Sequence, residues 1–383
     1  MTAIWIIITV IIAYGSLFPF DFQTNDLNWA TFDLFLRSWQ TRSSWGDLLG
    51  NIILFVPFGI AGMLSTRNLR FVSLNIFLVL ASGLILAVCL QFAQLYLPGR
   101  TAALNDAIWN TLGLALGMFF VLVADNYILR LQIQKRTIPL IPLVLLGVWG
   151  AYRLIPFVPT FDFQSIKDSL KPLLIHPEIS LLGVFMNAVS WLLAGYFLKC
   201  LPGSVGTLGK LGLLMAGIFG LEVLIVANDV TASNIVGALI ALMVSAMFMD
   251  RINGITTMLV ILLVISIVFQ GLAPFDPRPV IATFNWLPFH GFLGGSMYHN
   301  TLALLQKTFL YSSLIFLLNE LELSWLKAAL LTGFLLLLIE AAQIYFSGHT
   351  PEITDPLLVL LLTLGMVELD RLAPVSRKRK NEP

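Results

Sequence analysis

Along this chain the polar positions come in short bursts and the apolar ones in long runs. Stretches such as "FLVLASGLILAVCL" (Phe77–Leu90) and "ITTMLVILLVISIVFQGL" (Ile255–Leu272) carry apolar side chains around the whole circumference of a helix. A helix of that kind belongs in lipid or deep in a core. Runs of about 17–25 residues match the hydrocarbon thickness of a bilayer. Read this way, the chain contains twelve transmembrane helices near 3–18, 48–64, 72–96, 105–124, 138–155, 180–198, 211–227, 231–249, 255–273, 303–319, 328–346 and 355–370. The fold expected is an all-α polytopic membrane bundle.

Composition sharpens the picture. The 383 residues are 58% apolar and 11% charged, with mean hydropathy +0.89, whereas soluble domains carry about 25% charged residues. The lipid bilayer is thus the first partner to expect. The net charge of +1 gives no footprint for nucleic acid. The opening run 1–18 lacks a basic n-region and a small-residue cleavage site, so it reads as a retained first helix. Cys89 and Cys200 form no metal or redox spacing. The four histidines (His176, His290, His299, His349) lack metal-ligand spacing, and no metal or cofactor is expected. With the N-terminus inside, the 22 Lys and Arg residues divide into fourteen inside, including the tail run Arg377–Lys380, and eight outside. That excess places both termini in the cytoplasm.

Self-similarity then organises the chain into three four-helix units, at 1–130, 138–250 and 255–372, followed by a basic tail at 373–383. Each unit opens with a helix ending in an aromatic, proline and aspartate cluster: "LFPFDF" (Leu17–Phe22), "VPTFDF" (Val158–Phe163) and "LAPFDP" (Leu272–Pro277). Asp21, Asp162 and Asp276 recur in these clusters. A second helix starts "NIILFVPFG" (Asn51–Gly59), "NAVSWLLAG" (Asn187–Gly195) or "KTFLYSSLI" (Lys307–Ile315). The third and fourth helices join through a polar hairpin. It reads "QFAQLYLPGRTAALND" (Gln91–Asp106) in the first unit and "EAAQIYFSGHTPEITD" (Glu340–Asp355) in the third. The middle copy, "FGLEVLIVANDVTASN" (Phe219–Asn234), is eroded. Four helices per unit keep all three copies upright, as parallel repeats about an axis along the membrane normal. All three hairpins then face outward.

The first unit resembles the VanZ-like membrane domain. The resemblance rests on the Asn-led helix "NIILFVPFG", the Gln91-x-x-Gln94 helix end, Gly99-Arg100, and the run Asp106-x-x-x-Asn110-x-x-Gly113. Gln91 stands where that family usually has Glu. The third unit has Glu340 and Gln343 but His349 in place of the Arg and Val359 in place of the Asn. The resemblance implies a protein of the bacterial cell envelope, in a family whose named member is associated with low-level resistance to the glycopeptide teicoplanin. It implies no reaction.

The candidate ligand-binding residues are Asn51, Gln91, Gln94, Arg100, Asp106, Asn110, Lys307, Glu340, Gln343, His349 and Asp355. Glu340 lies about six residues, roughly 9 Å, inside its helix. Lys307 sits at a comparable depth, so the two are expected to touch, with Asn51 and Gln91 as the neutral counterpart. That contact serves either as interhelical glue or as part of a pocket. Asp106 and Asp355 open the fourth helices and suit N-terminal caps. Arg100 either pairs with Asp106, reaches the headgroups, or holds a phosphate or carboxylate in its planar fork. Gly113 and Gly117 suit close helix approach.

No P-loop, Rossmann, HExxH or G-x-S-x-G pattern appears. The sequence favours a non-enzymatic envelope protein that binds or shields an extracytoplasmic lipid-linked or glycan species, or an anionic headgroup. A transporter or lipid flippase is the second reading. An intramembrane hydrolase or transferase using Glu340, His349 and Asp355 is the third.

Overall fold

The computed structural model describes residues 1–23, 29–40, 45–67, 69, 71–132, 139–175, 177–225, 230–249, 254–294 and 297–372. His176 and the basic tail lie outside them. The chain divides into two compact units, Met1–Arg136 and Thr137–Pro383. The described residues form helices and isolated β-bridges only. The protein is a multi-pass, all-α membrane protein.

The first unit holds α1 (Thr2–Leu17), α2 (Trp29–Arg37), α3 (Trp45–Ser65), α4 (Val72–Gln94) and α5 (Leu104–Gln132). Its core gathers Ile12, Phe55, Phe58, Val79 and Leu114. The helices α3 and α5 meet backbone to backbone. A Cβ at Gly113 would lie 2.1 Å from the Ile52 carbonyl oxygen, and one at Gly117 would lie 2.2 Å from that of Val56. Only glycine permits that approach.

The second unit holds α6 (Leu140–Leu154), α7 (Phe163–Ile175), α8 (Leu181–Cys200), α9 (Thr207–Leu224) and α10 (Ala232–Val244), the last continued by a π-turn at Ser245–Met249. It goes on through α11 (Ile255–Leu272), α12 (His290–Gly294), α13 (Met297–Glu320), α14 (Trp325–Gln343) and α15 (Thr354–Leu372). Ser180, Thr231 and Ser324 cap α8, α10 and α14 by accepting backbone N–H bonds from Gly183, Asn234 and Lys327. Trp149, Trp191, Phe197 and Phe309 fill its core.

Among the described residues, eight helices are long and apolar enough to cross a membrane. Four of the twelve expected spans fall short of that measure. The helices Thr2–Leu17 and Leu140–Leu154 are apolar but brief, and Gly50–Ser65 is the apolar part of the 21-residue α3; 16 residues of α1 reach only about 24 Å at 1.5 Å per residue. The fourth, α15, carries Asp355, Glu368, Asp370 and Arg371. Lipid as solvent shows in the outward faces: Phe77, Phe119 and Phe334 are each more than 60% exposed, an arrangement that water would penalise.

One local geometry occurs three times. The helices α1, α6 and α11 each end one residue before an X–Pro pair, Phe18–Pro19, Ile155–Pro156 and Ala273–Pro274, all cis. The next residue is always Phe at positive φ: Phe20 at 67°, Phe157 at 60° and Phe275 at 62°. A bulky side chain there costs about 1–3 kcal/mol and persists only where its surroundings fix it. Each Phe N–H donates back to the last helical carbonyl, of Leu17, Leu154 or Leu272, at 2.8–2.9 Å. Three residues on, the N–H of Gln23, Thr160 or Arg278 donates to Tyr96, Leu224 or Tyr345 at the start of the polar hairpin, at 2.7–2.9 Å. This corner ties the ends of α1, α6 and α11 to the turns α4–α5, α9–α10 and α14–α15.

The corner also corrects the reading of the middle stretch. The residues that match "FPF" and "APF" are Ile155–Phe157, four positions before their expected counterparts in "VPTFDF". Val158, not Asp162, corresponds to Asp21 and Asp276. Asp162 instead stands at the start of α7, where Oδ1 accepts from Gln164 N at 3.4 Å.

Candidate functional site

In the first unit the polar side chains near the hairpin are tied to backbone. Gln91, 3% exposed, accepts the Ala103 N–H on Oε1 at 3.0 Å. Gln94 Nε2 donates to the Ser16 carbonyl at 2.9 Å. Arg100 reaches across the corner, with Nε donating to Phe18 O at 3.0 Å and Nη2 to Gly15 O at 3.1 Å. The guanidinium that could have gripped an anion thus spends two N–H groups holding the end of α1. Gln94 and Arg100 line a shallow hollow of about 280 Å³ with Leu34 and Phe35. Asn51 and Asp106 are half-buried. Asn110 is 3% exposed, and its Oδ1 has no hydrogen-bond partner among the described residues.

The same register in the last bundle builds something different. Glu340 Oε2 accepts the Glu352 N–H at 2.9 Å, as Gln91 does from Ala103. Gln343 Nε2 donates to Gly271 O at 2.9 Å, as Gln94 does to Ser16. His349 Nε2 contacts Ala273 O at 2.9 Å, in the place of Arg100. Lys307, however, does not take Glu340 as its direct partner. Its Nζ lies 2.7 Å from Asp355 Oδ1, and Tyr311 Oη donates to Asp355 Oδ2 at 2.6 Å. The expected direct Lys307–Glu340 contact is replaced by the bond to Asp355, at the start of the next helix, α15; both Lys307 and Asp355 still act on Glu340 electrostatically. Asp355, expected as a cap, has both oxygens engaged by α13. Lys307, Glu340, Gln343, His349 and Asp355 surround one cavity of about 240 Å³, together with Glu352 and Tyr311. Three carboxyls face one ammonium there, with an imidazole at the rim.

The middle bundle, which sequence reading treats as eroded, holds a buried ion pair. Arg153 Nη2 and Nε lie 2.6 and 2.8 Å from Glu222 Oε1, with side chains only 8% and 5% exposed. Arg153 Nη1 donates to Asn187 Oδ1 at 3.0 Å, and the guanidinium lies 5.7 Å from the Trp191 ring centre. Trp191 Nε1 donates to Asn234 Oδ1 at 3.0 Å, and Asn234 Nδ2 reaches Glu222 Oε2 at 3.4 Å. Counted from the hairpin carbonyls of Leu224 and Tyr345 that accept the corner N–H, Glu222 takes the position of Gln343 and Asn234 that of Asp355; Trp191, bonded to Asn234 as Tyr311 is to Asp355, takes that of Tyr311, and Asn187 four residues earlier that of Lys307. The sequence does carry the signal: an Arg and a Glu each interrupt an apolar run, "GAYRLIPF" and "FGLEVLIV", and intramembrane charges are rarely idle. The four-residue slip at the corner left Arg153 unmatched.

Residues 3–125 match the VanZ/LLP1 family. The first unit is VanZ/LLP1-like. The match spans α1 through most of α5, and so covers Asn51, Gln91, Gln94, Arg100, Asp106 and Asn110. The cavity around Glu340 and the ion pair at Arg153 lie outside the VanZ/LLP1-like stretch. No curated protein and no solved structure matches the chain. Among the described residues, no three His, Cys, Asp or Glu side chains are grouped to hold a metal ion.

Proposed function

We propose that this is a membrane protein of the bacterial cell envelope that binds or shields an extracytoplasmic lipid-linked or glycan species, and that the cavity bounded by α11, α13, α14 and α15 is its binding site. In this reading the chain is three upright copies of a four-helix unit, with twelve spans, both termini in the cytoplasm and the polar hairpins facing outward. The recurrence of the corner at Phe20, Phe157 and Phe275 supports the three copies. The excess of Lys and Arg on the inner side supports the orientation. The observation that carries the functional reading is the cavity itself: a chamber of about 240 Å³ on which Glu340, Glu352, Asp355, Lys307 and His349 converge. The resemblance to VanZ adds a contribution to glycopeptide resistance of the teicoplanin type.

Deleting the gene tests this reading. Susceptibility to glycopeptides and lipoglycopeptides, and the pool of lipid-linked precursors, should both change, and complementation with the Glu340→Gln, Asp355→Asn double variant should fail to restore them. Unchanged susceptibility and pool would contradict the reading. The transporter or flippase reading is less well supported, because the polar groups gather at the hairpin ends of the helices and not on broken helices at mid-bilayer. The convergence of Glu340, His349 and Asp355 on one cavity favours the hydrolase or transferase as the second reading. There His349→Gln alone would abolish function, whereas a binding site should tolerate it in part.

A further inference from the structure

The cavity around Glu340 has an internal counterpart that is already filled. In the middle bundle the Arg153 guanidinium lies against the positions that correspond to Gln343, Lys307 and Tyr311, held by Glu222, Asn187 and the face of Trp191. The residue matching Arg153 in the last bundle is Gly271, directly before the helix end at Leu272. Gly271 has no side chain to place there, and a Cβ at that position would meet Ile339 Cγ2 at 2.5 Å. The space that a guanidinium fills in one bundle is therefore open in the other. Its walls carry Glu340, Glu352 and Asp355 against Lys307 alone, and Lys307 is committed to Asp355.

The geometry points to this cavity as a receptor for a ligand's cationic group, a guanidinium or primary ammonium, paired with Glu340, which stands one helical turn before the Gln343 that takes the place of Glu222. This deepens the function proposed above and rests on its assignment of the cavity as the binding site. Two features suit the role. The volume, about 240 Å³, fits the charged end of a ligand and not a whole drug-sized molecule, which takes about 300–1,000 Å³. Tyr311 lines the wall where Trp191 faces Arg153, and an aromatic face attracts a desolvated cation. A lipid headgroup and a soluble molecule offer the same cationic chemistry to this site.

Full-length protein in detergent micelles tests this with agmatine, which carries a guanidinium and an ammonium, and with succinate as the anionic control. The readout is the melting temperature followed by tryptophan fluorescence. Agmatine should raise it in a saturable way, and Glu340→Gln should weaken the apparent affinity by at least about tenfold. That variant preserves the local fold, since Gln91 accepts the equivalent N–H bond in the first unit. Micelles doped with phosphatidylethanolamine or with phosphatidylglycerol identify the source. A shift with phosphatidylethanolamine that competes with agmatine assigns a headgroup, and a shift with agmatine alone assigns a soluble cation. As an independent arm, agmatine should stabilise Arg153→Ala more than the parent, by entering the vacated slot. An equal response of parent and Glu340→Gln would overturn the inference, as would silence to agmatine and phosphatidylethanolamine together. A shift with succinate but not with agmatine would overturn it while leaving the cavity a binding site.

Discussion

The bundles ending in α10 and in α15 share a corner, a hairpin register and an aromatic residue aimed at the head of the fourth helix, yet one is sealed and the other hollow. Trp191 bonds Asn234 where Tyr311 bonds Asp355. What separates them is the residue before the helix end. Arg153 reaches in and neutralises Glu222, whereas Gly271 leaves Glu340, Asp355 and Glu352 around open space. The lesson is that charge alone does not mark a site in a membrane bundle. A carboxylate with its own buried cation is scaffolding, and one that faces a chamber with too few cations is available.

The comparison can be broken most forcefully at Arg153. Removing one partner of a buried ion pair strands the other, so Arg153→Ala should lower unfolding stability by about 3–5 kcal/mol, measured by chemical denaturation in micelles. The double change Arg153→Met, Glu222→Leu should recover most of that loss, because a packed apolar pair can replace a buried ionic one. A double variant as unstable as the single would mean that the cluster does more than hold helices. A smaller effect is expected at the other cluster. Lys307→Met should cost about 1–2 kcal/mol, in the range of a hydrogen bond to a charged group and tempered because the Lys307 side chain is 37% exposed. Adding Asp355→Leu should restore part of the loss, and adding Glu340→Leu should restore less, since Asp355 is the direct partner. Smallest is Tyr311→Phe, which deletes one hydroxyl bond and should cost about 1 kcal/mol while the cavity gains little volume.

Much of this was legible in the sequence, and the failures have physical causes. Apolar runs located the longer helices, since lipid leaves a chain few alternatives, but α5 runs eight residues past its expected end, α13 starts six residues early, and the short α2, α7 and α12 carry no apolar run to announce them. The gapless register of Gln91–Asp106 with Glu340–Asp355 placed Gln91 and Glu340 in one slot, and both accept the same N–H bond. Depth and the neutral counterpart Asn51 with Gln91 pair Lys307 with Glu340. Neither fixes the azimuth of a side chain, and Asp355 is the direct partner. Asp162 was aligned by its resemblance to Asp21, although the corner is set by the backbone at Pro156 and Phe157 and not by an aspartate. That slip left Arg153 out of the cluster, although the hairpin register Phe219–Asn234 with Glu340–Asp355 already placed Glu222 and Asn234. Arg100 looked available for an anion, but its hydrogen bonds to Phe18 and Gly15 could not be foreseen from spacing, because they cross 82 and 85 residues.

The central claim, that one upright unit recurs and gathers its polar corners on the outer face, is tested most directly by cysteine accessibility. In a background with Cys89 and Cys200 replaced by alanine, single cysteines would be placed at Gly99, Val158 and Thr350, all exposed positions beside the three corners. A membrane-impermeant maleimide added to intact cells should label all three without lysis. Labelling of any one of them only after the membrane is opened would contradict the account.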